Sequence, residues 1–145
     1  MNLGRLLLAG LLAGLVLNIG EAVLHGVVLA EPTAAALTAL GRSDASSPAG
    51  LTMLVGITFV QGIIGLWLHA LLSGRGVTRG RAAVVAGLAL WVLSAVYAAI
   101  YFGSGFPNVM PAYVIWLPVV WALVEFPLAI FVGALLIPPP KRGLT

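Results

Sequence analysis

The chain has no cysteine, so disulfides, thiolate metal sites and thiol redox chemistry are all excluded. Charge is almost as scarce: 8% of residues are Asp, Glu, Lys or Arg, against 61% that are hydrophobic. So little polar surface cannot cover an ordinary water-soluble domain. No nucleophile–base pair, phosphate-binding loop or dinucleotide fingerprint is present. Gly74-Arg75-Gly76 reads as a tight turn, where glycine permits the geometry, rather than as a phosphate cradle. Nothing in the sequence calls for a cofactor.

What the chain has instead is long apolar runs, over roughly 4–30, 49–73, 80–103 and 110–137. Each reaches the ~20 residues needed to cross a hydrocarbon core of about 30 Å. Lipid offers backbone groups no partners, so such runs must be helices. The reading is all-α: an integral membrane four-helix bundle, up-down-up-down, in a single domain over 1–145. A short surface helix over about 32–40 is expected in the first connection, begun by Glu31-Pro32 and stopped by Gly41. Ser47-Pro48 and Asn108 with Pro111 look like the starts of spans two and four. Pro118 and Pro127 should kink span four, because they deprive the carbonyls of Val114 and Leu123 of helical partners.

The formal net charge of +3 has a topological pattern. Arg5 precedes span one, Arg75, Arg79 and Arg81 crowd the second connection, and Lys141 and Arg142 follow span four. Six of the seven basic residues thus fall on one side, leaving only Arg42 on the other. The positive-inside rule puts that side, and both termini, in the cytoplasm. A nucleic-acid surface is not implied. Arg5, the leucines after it and Val28-Leu29-Ala30 loosely resemble a cleavable leader, but the run is too long, and Asn18, Glu21 and His25 interrupt it. A retained helix is expected.

Against this background the polar residues inside the spans stand out, because an ionisable group at membrane depth is costly. Counting from the span ends places Asn18, Gln61 and Glu125 near the bilayer centre, with Ser94 close by. Glu21 and Tyr97 lie about one turn, ~5 Å, further out. Four helices each bring a hydrogen-bonding group to similar depth. The simplest arrangement has them meet in the bundle interior and satisfy one another, a protonated Glu donating to Gln61 or Asn18.

Gly10 and Gly14 form a small-xxx-small pair that would let a neighbouring backbone approach. His25 and His69 belong near opposite interfaces, about 20 Å apart by helix rise, and cannot share one haem or metal. Glu21 and His25 are spaced i, i+4, not the Glu-x-x-His of di-iron bundles, and no second copy exists. No metal is expected, and both histidines fit interfacial hydrogen bonding. Tyr101, Phe102, Phe106, Tyr113 and Trp116 form the aromatic belt of the outer boundary.

An internal similarity runs through the chain. Residues 13–23 match residues 86–96 at six of eleven positions with an offset of 73. Spans two and four match more weakly at an offset of 64, where Val60-Gln61 faces Val124-Glu125. This suggests two hairpins related by an axis along the membrane normal, a parallel repeat. Chance matching between Ala/Gly/Leu/Val-rich helices is the alternative. If the repeat is real, Gln61 is equivalent to Glu125 and Glu21 to Ser94.

Ala13 to Glu21, then His25-Gly26-Val27-Val28-Leu29-Ala30, and Trp121-Ala122-Leu123-Val124-Glu125 in span four resemble a loose group of small uncharacterised bacterial four-span membrane proteins. The resemblance implies a multi-pass protein of the bacterial cytoplasmic (inner) membrane and carries no activity. Two functional readings follow. In the first, a non-enzymatic membrane protein acts through helix packing, as an accessory subunit or homo-oligomer, and its polar residues are interhelical glue. In the second, a small transporter or a ligand-, ion- or proton-binding protein is centred on the buried Glu/Asn/Gln cluster.

Overall fold

The computed structural model describes residues 2–39, 41, 48–105 and 111–138, and these contain helices and no strand. The helices are α1 (Leu3–Val23), α2 (Ala30–Ala39), α3 (Pro48–Ser73), α4 (Arg79–Trp91), α5 (Tyr97–Gly105) and α6 (Ala112–Ala134). Two π-helical turns, Leu24–Val28 after α1 and Val92–Val96 between α4 and α5, carry their helices on without a break. Five helices result. Four of them, Leu3–Val28, Pro48–Ser73, Arg79–Ser104 and Ala112–Ala134, are long and apolar enough to cross a membrane. They are spans one to four of a multi-pass membrane protein.

Local chemistry sets the boundaries. Asn2 caps α1, its side-chain oxygen accepting from the Gly4 N–H at 3.0 Å. Pro32 falls in the first turn of α2, and Gly41, with φ of 70°, ends it in a left-handed conformation. α3 starts on Pro48, where a missing N–H costs nothing. Gly76, with φ of 83°, allows the turn into α4. α6 runs unbroken through Pro118 and Pro127. Ser47, Asn108 and Phe106, and the charged residues Arg42, Asp44, Lys141 and Arg142, lie outside the described residues.

The core is small-residue and aliphatic: Ala9, Ala13, Leu17, Leu66, Ala86, Ala129 and Ile130 are all essentially inaccessible. Each span also presents large apolar side chains outward, among them Ile19, Met53, Leu93 and Val124. That is the pattern of a bundle solvated by lipid, not water.

Glycine brings the backbones together. A Cβ on Gly10 would stand 2.6 Å from Ile63 Cα, one on Gly14 would stand 2.7 Å from Phe59 Cα, and one on Gly62 would stand 2.5 Å from the Gly14 nitrogen. Residue numbers therefore rise along span one as they fall along span two. Gly87 does the same for spans three and four, where its Cβ would lie 2.5 Å from Pro127 Cα. Spans four and one meet at Gly133 and Ala9, and spans two and three at Gly65 and Leu90.

Two polar contacts close the third and fourth spans against each other. Trp91 Nε1 donates to the Val119 carbonyl at 2.8 Å, and an Arg79 guanidinium nitrogen donates to the Ile137 carbonyl at 2.6 Å. The second places a cation on the carbonyl end that follows α6, where it is electrostatically favoured. Trp91→Phe keeps an aromatic ring and removes the N–H. It should cost about 0.6–1.7 kcal/mol, the range found for interhelical hydrogen bonds in membranes. Thermal unfolding in detergent would read this as a lowered Tm.

Candidate functional site

The residues expected to form one polar core divide into separate arrangements. Gln61 Nε2 donates to Ser94 Oγ at 3.0 Å, joining spans two and three. Ser94 lies inside the π-helical turn Val92–Val96. Such a turn adds a residue and re-aims the side chains after it, and π turns recur at functional positions. Asn18 is satisfied by carbonyls, at 2.8 Å from Gly14 of its own helix and 3.5 Å from Val55 of span two. Tyr97 is exposed and stacks on Tyr101 with ring centroids 6.4 Å apart. Tyr113 and Trp116 are exposed on α6.

The two acids behave differently from each other. Glu21 pairs with His25 one turn on, Oε2 to Nε2 at 3.1 Å, with side chains 37% and 52% exposed. His25 sits in the other π-helical turn. Glu125 is 7% exposed, and neither carboxyl oxygen has a hydrogen-bond partner among the described residues. It enters the bundle between spans four and one and lies on the backbone of Gly20. A Cβ at Gly20 would overlap the carboxyl, standing 2.7 Å from Glu125 Cδ. Glu125 is within electrostatic reach of both Glu21 and His25. The Trp121 indole, one turn earlier on α6, interacts with the carboxyl but misses hydrogen-bond geometry, so its N–H is also unpartnered.

The site is therefore a seat for one carboxyl, built by span one and filled from span four. The sequence singles out Glu125 and Glu21 for a polar core and His25 for an interface, and gives no role to Gly20, on which the Glu125 carboxyl lies. A signal was present: Ala9, Ala13 and Gly20 form a small-residue line on the face of span one toward span four, distinct from the Gly10–Gly14 face toward span two. Toward the Arg79 end, this interface is closed by Ala9, Ala13, Ala129 and Ile130, all with no exposure. Toward the α2 end it reaches the half-exposed Glu21–His25 pair.

His69 is a second buried polar residue, expected at an interface and found 2% exposed beside the Arg79 backbone, with neither ring nitrogen in hydrogen-bond geometry among the described residues. Ser73 Oγ, one turn further on, is also buried with no partner among the described residues. Among the described residues no three His, Asp or Glu side chains gather as metal ligands. No protein-family profile matches the chain, and no curated protein or solved structure is significantly similar to it, so its reading rests on its own residues.

Proposed function

We propose that the chain is a multi-pass protein of the bacterial cytoplasmic membrane, with up-down-up-down spans and both termini in the cytoplasm, whose Glu125 binds an exchangeable proton. The opposed registers of adjacent spans and the one-sided basic residues support the topology. The observation that carries the function is the Glu125 carboxyl, buried with no hydrogen-bond partner from another span among the described residues. Interhelical glue works by being paired, and an unpaired buried polar group weakens a bundle rather than holding it. An acid kept there without cohesive use is a functional residue.

The occupant follows from the donor set. Hard cations take six or more oxygen ligands, and the seat offers one buried carboxyl beside a glycine backbone. A proton needs only the carboxyl. Exchange runs along the span one–span four interface through Glu21 and His25, because the opposite direction is filled by packed, inaccessible residues, among them Ala9, Ala13, Ala129 and Ile130. The close-approach pair Gly10 and Gly14 is occupied by span two of the same chain and so is not open to an outside partner. That weighs against the packing reading.

Carbodiimide labelling in membranes tests this. A hydrophobic carbodiimide adds to the O–H of a protonated carboxyl in an apolar site, forming an acylisourea that rearranges to a stable acylurea. Peptide mass spectrometry should find the adduct on Glu125, and Glu125→Gln should abolish it without loss of folded protein. Absence of labelling on Glu125 in folded, membrane-inserted protein would remove the proposal.

A further inference from the structure

We infer that the two halves of the chain are copies of one hairpin, and that the Glu21–Glu125 site is the acidic copy of a clamp whose neutral copy is Gln61–Ser94. This rests on the proton reading of Glu125 and deepens it, by showing what the same position does when no proton is to be held.

The equivalence is carried by contacts that the sequence offsets did not presuppose. Shifting Asn18 by 73 gives Trp91, and shifting Val55 by 64 gives Val119. Asn18 Nδ2 donates to the Val55 carbonyl at 3.5 Å, and Trp91 Nε1 donates to the Val119 carbonyl at 2.8 Å. Two different side chains thus reach equivalent carbonyls. The same shifts turn the Gly14–Gly62 contact into Gly87–Phe126. A Cβ on Gly62 would stand 2.9 Å from Gly14 Cα, and one on Gly87 would stand 2.9 Å from the Phe126 carbonyl carbon.

Applied to the Gln61–Ser94 bond between spans two and three, the shifts name Glu125 and Glu21 between spans four and one. Glu125 is found at that place, with its carboxyl on Gly20, the residue next to Glu21. Both clamps cross equivalent interfaces. In one, an amide and a hydroxyl close a 3.0 Å bond. In the other, a carboxyl has no partner across the interface among the described residues, while its counterpart turns away to His25. The neutral copy closes its own interface without a charge. The acidic copy is thereby the ligand-holding one, with Glu125 binding and Glu21–His25 positioning.

A double-mutant cycle on the full-length protein tests the inference. Glu21→Ser with Glu125→Gln rebuilds the neutral clamp in the acidic interface. The double variant should unfold at a Tm at or above that of the parent, and above the Tm expected by adding the two single changes. The reason is that the introduced amide finds a hydroxyl partner only when both substitutions are present. Additive or worse-than-additive Tm changes would overturn the equivalence. Carbodiimide labelling of the parent separates the two claims. Labelled Glu125 with an uncoupled cycle removes the duplicated clamp and leaves the proton reading. A coupled cycle with unlabelled Glu125 removes the proton reading and leaves the duplication, stripping the acidic copy of its assigned ligand.

Discussion

Gly62→Ala should be among the most destabilising single substitutions in the protein. The added methyl would meet the Gly10 carbonyl oxygen and stand 2.5 Å from the Gly14 nitrogen, so both obstacles are main chain. No side chain can rotate away, and spans one and two must move apart. Overpacking of this kind costs about 1–3 kcal/mol, occasionally more, and a rigid helix backbone puts Gly62 at the upper end. In a fold worth about 5–15 kcal/mol, that is a large share. Gly56, on the same helix, has nothing within 4 Å of its notional Cβ. Gly56→Ala should therefore be neutral or slightly stabilising, since alanine is the better helix former. Thermal unfolding of both variants in one detergent makes the comparison. Equal Tm values would mean that the glycine contact between spans one and two does not hold the bundle.

Much of this architecture could be read before any coordinates, and the reason is the solvent. A bilayer forces apolar runs into helices and punishes unpaired polar groups, so the four spans and the odd polar residues inside them announce themselves. Gly10 and Gly14 declared a close contact by spacing alone, although their partner proved to be span two of the same chain. What could not be read was which polar residue meets which. Span rotation is set by packing between helices, and the π-helical turns at 24–28 and 92–96 shift the faces that follow them. Straight-helix counting grouped Asn18, Gln61, Ser94 and Glu125 by depth, whereas the structure distributes them over three interfaces. The sequence shows which span carries each of them, but not which neighbour each one faces. Likewise His69 reads as interfacial by position, yet lies buried because span two leans on its neighbours along the Gly62, Gly65 and His69 line.

The seat beneath Glu125 makes a different kind of prediction, because it separates the presence of the acid from its placement. Gly20→Ala leaves every carboxyl in the chain but puts a methyl where the Glu125 carboxyl now rests, 2.7 Å from its Cδ at the ideal Cβ position. The side chain has rotatable bonds and can leave, but the route open to it runs toward the half-exposed Glu21–His25 pair. There the acid would enter a more polar setting and leave the apolar seat that carbodiimide labelling requires. Carbodiimide labelling of Glu125 should fall to the level of Glu125→Gln, with a stability loss of about 1–3 kcal/mol from the misfit. Adding Glu125→Ala to Gly20→Ala removes the displaced group, so much of that loss should return. If Gly20→Ala labels as strongly as the parent, the carboxyl does not depend on the Gly20 seat, and proton binding uses some other geometry. If labelling vanishes while the double variant regains its Tm, one missing methyl on span one is what admits the acid into the bundle.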